Sequence, residues 1–334
     1  MRTDIKKESI NIKSALILAI LSVILSLVSA VFGPMGLYIS LLPMAASAGL
    51  LAALIHFECE KNNLIRIIAP ILMVVIDWIF NGFYSLSGIL IVLSALMIFL
   101  VYEQGWAKFE SSMAMSLIAA GIIALIFIVA GIKNDQGLPV REFYQNFYEN
   151  FKSEYLNYYN QVYVPMYEEM GVEPISAENI IYALDYMVGM LVSILFIAGF
   201  ALVGVATKVY SFILEKLRTN KEKLRGWRLS PSSIFAYFYA ILGLFSMFLS
   251  TELTTFNLSI FNLETIFMVV FWYMGIIAIG KLIRERKKRG LPILLTTVCA
   301  AFITLFFPRI VSYAGVFYCI VTNKMKKMKD ENID

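Results

Sequence analysis

The feature that most constrains this chain is a succession of apolar runs, several of them about 18 residues or longer, separated by short polar or basic segments. A run of that length crosses the ~30 Å hydrocarbon core of a bilayer as a helix, which satisfies its own backbone hydrogen bonds there. A water-soluble fold could not hide so much apolar surface. Of the residues, 60% are hydrophobic and 16% charged, with mean hydropathy +0.76, against about 45–50% and about a quarter in soluble domains. A transmembrane barrel needs short alternating segments, and these runs do not alternate. The expected class is all-α, a polytopic integral membrane helical bundle of about 8–10 transmembrane helices.

The runs and their breaks place spans near 14–32, 35–57, 64–82, 83–102, 113–132, 179–207, 232–250, 264–283, 291–307 and 309–323. The last two are short, flank Pro308-Arg309, and leave a re-entrant pair open. Gly33-Pro34 and Asn81-Gly82 mark turns, while Pro43 and Pro70 fall inside spans. This layout divides the chain into an N-terminal bundle (1–132), a loop (133–178), a C-terminal bundle (179–323) and a basic tail (324–334). Val28-Ser29-Ala30 has the form of a signal-peptidase site, but a long apolar stretch precedes it and a membrane domain follows, so an uncleaved first span is expected.

Lys and Arg are retained on the cytoplasmic side of membranes. With the N-terminus inside, only Lys133, Arg141, Lys152 and Arg309 of the 28 basic residues fall outside. Both termini are therefore expected to be cytoplasmic. The loop 133–178 is then extracytoplasmic, with a net charge of −5.

Within that loop, residues 141–163 read REFYQNFYENFKSEYLNYYNQVY. On a helical wheel Phe143, Tyr144, Phe147, Tyr148, Phe151, Tyr155, Tyr158, Tyr159 and Val162 share one arc, with Asn, Gln and Glu opposite. The pattern predicts an amphipathic helix that begins after Pro139 and ends at Pro165. Phe143, Phe147, Phe151, Tyr155 and Tyr158 are the candidate face of an outer lid or interface helix. Its cover is open between the protein's own spans, lipid and a protein partner.

Enzyme signatures are lacking. His56 is the one histidine, so His-rich zinc sites and His-based triads are excluded, and no phosphate-binding glycine loop occurs. No cofactor or metal is expected. Basic runs such as RERKKR (284–289) lie against the inner membrane face, which favours topology and anionic-lipid contact over nucleic acid. Charged residues within spans are more informative, because charge in the bilayer is costly. Asp77, Asp185 and Arg309 are candidates for an outward-facing substrate or ion pocket, with Glu252 and Glu264 bordering later spans. The alternative is an interfacial position, or a simple carboxylate–Arg309 pair. Ala15 and Ala19, followed by Ser22, Ser26 and Ala30, form a small-residue face suited to helix docking, internal or to another subunit.

The C-terminal third, GWRLSPSSIFAYFYAILGLFSMF and then NLETIFMVVFWYMGIIAIGKLIRERKKRG, resembles the YybS-like family of bacterial membrane proteins. The residues that carry the likeness are Trp227, Pro231, Gly275, Pro308 and Gly315, with Tyr318 where the family usually has an acid. The resemblance implies a multi-pass protein of the bacterial cytoplasmic membrane. Its N-terminal spans are similar to the substrate-binding subunits of energy-coupling-factor transporters, in which the pattern matched by Ala15 and Ala19 docks an ATPase module. Two function classes follow. One is a transport-related solute-binding or carrier subunit; the other is a non-transporting scaffold or assembly factor of the envelope. Enzyme activity is not expected.

Overall fold

The computed structural model describes residues 9–32, 37–59, 64–82, 86–103, 109–132, 137–217, 231–250, 252–288 and 294–331. Gly33-Pro34 and Trp227 lie outside these. The described chain is helical: α1 (Ile12–Phe32), α2 (Leu37–His56), α3 (Leu64–Asn81), α4 (Ser87–Glu103), α5 (Phe109–Ile132), α6 (Val140–Tyr158), α7 (Val164–Glu169), α8 (Ala177–Gly189), α9 (Leu191–Leu217), α10 (Ser233–Ser246), α11 (Thr255–Lys288), α12 (Leu294–Phe306) and α13 (Pro308–Glu331). The strand pairing among the described residues is a two-residue parallel contact between β1 (Ser9–Ile10) and β2 (Glu58–Cys59).

Six of these helices are long and apolar enough to cross a membrane: α1, α2, α3, α5, α9 and α11. Two further apolar helices, over Ser87–Tyr102 and Ser233–Ser246, are shorter. The polytopic helical bundle is thus observed, with six helices of spanning length among the described residues, or seven if the last pair is one bent span, against the 8–10 expected; two of the expected spans are also rearranged. The last two are one pair, α12 and α13, bent by 107° at Phe307. The span expected over 179–207 is broken at Met190, so Asp185 belongs to the 13-residue amphipathic α8 and α9 supplies the membrane crossing.

By contact, the chain divides into two compact units. The first comprises Met1–Ala107, Ser111–Val188 and Ala198–Gly226; the second comprises Lys108–Glu110, Gly189–Ile197 and Trp227–Asp334.

In the first unit, α1 starts at Asn11, whose Oδ1 accepts the Ser14 amide at 2.8 Å and caps the first turn. Its small-residue face, Ala15, Ala19, Ser22, Ser26, Ser29 and Ala30, is buried, and α1 packs on α2 and α3. Small side chains let helix backbones approach where lipid offers no hydrophobic drive. Ser47 Oγ on α2 donates to the Ser22 carbonyl at 2.8 Å across this contact. On α3, Ala69, Met73 and Asp77 recur every four residues and point inward, while Ile67, Ile71, Val75 and Ile79 are exposed as lipid-facing residues would be.

In the second unit, Tyr239 stacks on Phe271 at 5.2 Å, within a core of Ala236, Leu242, Phe267, Val316 and Cys319. Gly275 abuts the Val311 carbonyl and Gly315 the Phe271 carbonyl, so α11 and α13 touch backbone to backbone. Any side chain at either glycine would collide with that carbonyl.

Candidate functional site

The aromatic segment of the first unit folds as its pattern demands, with one correction. Pro165 does not end the helix. Residues Tyr159–Tyr163 widen into a π turn, in which the Val164 amide donates to the Tyr159 carbonyl, and α7 continues to Glu169. Pro165 has no N–H for the carbonyl four residues earlier and would crowd it in a regular α-helix; the wider turn beside it lets the helix run through. The helix stops instead at Gly171 (φ 68°), where amides 171 and 172 return to the carbonyls of Glu168 and Tyr167.

The aromatic arc is split lengthwise. Tyr148, Leu156, Tyr159, Val164 and Tyr167 pack with Ile180 and Leu184 of α8. Tyr144 lies over Gly131 and donates to the Phe127 carbonyl of α5. Tyr159 OH accepts the Ile175 amide at 2.8 Å, holding the connection back against the helix. On the other edge Phe147, Phe151, Tyr155, Tyr158 and Val162 stay exposed, Phe147 to 61%. Phe143 is half-buried. The chain's own helices therefore cover one edge of the predicted interface face and leave the other open.

The predicted pocket residues are held by three different sets of partners. Asp185 accepts the Tyr148 hydroxyl at 2.6 Å and pairs with Lys152 at 3.6 Å, tying α6 to α8. Burial, then the hydrogen bond to Asp185 and its charge, push the Tyr148 hydroxyl well above the usual tyrosine range. Asp77, buried in α3, accepts Asn81 Nδ2 at 2.9 Å and the Gly88 amide at 2.8 Å. It thereby places a carboxylate at the N-terminus of α4, where orphan amides and the helix dipole favour negative charge. Gly88 allows this, since a Cβ there would lie 3.0 Å from the Met73 carbonyl.

Arg309, the second residue of α13, pairs with Glu264 of α11 at 3.0 Å. Glu264 is buried to 3% exposure, whereas the Arg309 side chain is 52% exposed. Ser312 Oγ donates to the Arg309 carbonyl at 2.7 Å and lies 2.6 Å from Tyr239 OH. Because the Ser312 proton is already used, the tyrosine is the donor in that contact.

Two residues before Glu264, Asn262 does something the sequence reading did not anticipate. Its Oδ1 accepts the Ser193 amide at 2.9 Å, and its Nδ2 donates to the Gly189 carbonyl at 2.7 Å. These are the backbone groups left over at the α8–α9 break, one on each side of it. One level of α11 thus serves two helix interruptions. Asn262 bridges the α8–α9 break, and Glu264 holds α13 just after its bend from α12. The legible signals were a polar pair, Asn262 and Glu264, at the start of an apolar run and a glycine at 189 inside another.

Residues 20–317 match the family model described as "Predicted membrane protein (DUF2232)". The chain belongs to that family. The match takes in both helix interruptions, the aromatic helix α6 and the Gly275–Gly315 contact. No curated protein and no solved structure matches it significantly.

Proposed function

We propose that this membrane protein is transport-related, a small-solute binding or carrier subunit with an outward-facing polar site. The observation that carries the reading is the pair of interrupted helices served from one level of α11, with Asn262 on one break and Glu264–Arg309 beside the other. Non-helical backbone at membrane depth is tolerated where it is buried in protein or lines a cavity, and many secondary transporters build their binding sites from such discontinuous helices. The half-exposed Arg309 suits a carboxylate or phosphate of a solute, which would exchange places with Glu264. Asp77 and Asp185 belong to the first unit and enter the reading as separate charged positions, each with its own partners. The membrane is the bacterial cytoplasmic one, with both termini inside.

The resemblance to energy-coupling-factor subunits is an analogy of fold and does not itself carry the function. Ala15 and Ala19 are buried in the chain's own α1 packing, so an ATPase partner would meet the protein elsewhere. The alternative, a scaffold or assembly factor of the envelope, is favoured by one observation, the open stripe Phe147, Phe151, Tyr155 and Tyr158.

Native mass spectrometry of the full chain purified from its own membrane decides between them. A retained small anionic molecule, lost in Arg309→Gln while the protein stays monodisperse, is the expected result. Retention of none, with envelope proteins co-purifying and released by Phe151→Ala plus Tyr155→Ala, would replace transport by the scaffold reading.

A further inference from the structure

At its first turn α6 rests on the end of α5. Val140 and Tyr144, one turn apart, both lie against Gly131, where a Cβ would meet the tyrosine ring at 2.6 Å. From there the Tyr144 side chain runs back along α5, and its hydroxyl donates to the Phe127 carbonyl. Gly131 to Phe127 is one helical turn, roughly 6 Å along the axis. Phe127 belongs to the apolar stretch Ser112–Val129, which is long enough to cross a membrane. Tyr144 therefore marks the side of α6 that faces the membrane. At about 100° per residue, Phe151, Tyr155 and Tyr158 fall within about 40° of Tyr144, and all three are exposed. Asn146, Ser153 and Asn157 are on the opposite side of the wheel. From Tyr144 to Tyr158 the line is roughly 21 Å long, whereas a helix such as α5 is only about 10–12 Å across. Past its first turns α6 thus overhangs what lies beside α5. There α5 exposes Phe127, Ile128 and Ile132, as a lipid-facing helix end would.

We propose that α6 is an interfacial helix whose Phe151–Tyr155–Tyr158 line is seated in the lipid surface beside α5. The rings enter the boundary between headgroups and acyl chains, and the two tyrosine hydroxyls stay at headgroup level. Phe147 and Glu154, turned about 60–80° off the line, form its rim in water. The contact is apolar and not electrostatic. Lys152 is taken up by Glu149 at 3.4 Å and Asp185 at 3.6 Å, and Arg141 precedes the line. The surface therefore fits a zwitterionic bilayer as well as an anionic one. A protein partner would cover the line without accounting for its direction, which is the one Tyr144 takes into the span. The inference is independent of α11 and stands whether or not the protein handles a solute.

The test uses the full chain carrying Cys59→Ser and Cys299→Ser, with the buried Cys319 left in place. It is reconstituted in phosphatidylcholine vesicles, dilute enough that copies do not meet. Nitroxide labels are placed singly through Phe151→Cys, Tyr155→Cys and Tyr158→Cys, and through Asn146→Cys, Ser153→Cys and Asn157→Cys. Depth is read by electron paramagnetic resonance from collisions with oxygen and with a water-soluble nickel chelate. Labels at 151, 155 and 158 should lie about 5–10 Å below the lipid phosphates, and those at 146, 153 and 157 in water. Exchanging half the lipid for phosphatidylglycerol should leave these depths unchanged. Gly131→Leu unseats Val140 and Tyr144 and should bring the three deep labels toward water. Nickel access at 151, 155 and 158 equal to that at 153 would overturn the proposal. Shielding of those positions from both reagents would overturn it in favour of protein cover, and depths that grow with phosphatidylglycerol in favour of a charge-driven contact. Unchanged depths in a folded Gly131→Leu variant would deny the seat on α5; should that variant fail to fold, the six depths in the parent chain decide.

Discussion

Replacing Asn262 by alanine tests whether a single side chain closes the α8–α9 break. The substitution removes the acceptor for the Ser193 amide (2.9 Å) and the donors to the Gly189 and Leu258 carbonyls (2.7 and 2.8 Å). The Leu258 carbonyl lies on the same helix and has an ordinary helical donor, so its loss costs little. Ser193 is buried and three residues into α9, where no intrahelical acceptor exists for its amide. The Gly189 carbonyl is left at the end of α8 without the Asn262 amide. An orphaned group of this kind costs about 1–3 kcal/mol. In membranes such losses run toward the low end, because the unfolded chain also finds partners there. About 2–3 kcal/mol is therefore expected for the two together. Read locally, this is about 30- to 140-fold faster hydrogen exchange at the Ser193 amide. Asn262→Asp keeps an acceptor for Ser193 but turns oxygen toward Gly189, so Ser193 exchange should recover while thermal stability does not. Exchange at Ser193 unchanged in Asn262→Ala would refute the bridging role.

Three further outcomes are expected. Gly315→Ala drives a methyl group into the Phe271 carbonyl and should cost at least 1–3 kcal/mol by overpacking, whereas Gly204→Ala, with nothing within 4 Å, should be neutral or slightly stabilising; melting in detergent compares the two. In a cysteine scan with a membrane-impermeant reagent, positions 148 and 159 should resist labelling and 147 and 154 should react; uniform labelling would deny that α6 packs on α8. The Tyr148 hydroxyl holds its proton to a higher pH in the folded chain than the ordinary value of 10.0. Its stabilising effect is therefore complete below pH 10 and fades as pH rises beyond it. Tyr148→Phe should flatten the loss of α6 protection seen by hydrogen exchange over that alkaline range.

The membrane class and the amphipathic character of α6 were legible because both depend on composition and period alone. Apolar runs of Leu, Ile and Val have one solution in lipid, and an aromatic residue every three or four positions has one period. Other features were only half legible. The wheel placed Tyr148 and Phe151 on one face, but α8 is narrower than that face, so it covers Tyr148 and leaves Phe151 open. Pro165 read as a stop, since local rules price its missing donor and not the π turn that accommodates it. Asp77 and Arg309 stood out as charges in apolar surroundings. Which groups they meet, the α4 N-terminus and Glu264, depends on residues 11 and 45 positions away.

By itself, then, the sequence determined that this chain is a bundle of membrane helices with an aromatic amphipathic helix, because hydrophobicity and helical period are properties of neighbouring residues. Only the tertiary structure decided where those helices break and what repairs them. Asn262 lies 69 residues from Ser193 and 73 from Gly189, and the hydrogen-bond deficit of a helix end can be met by any polar group that packing brings within 3 Å.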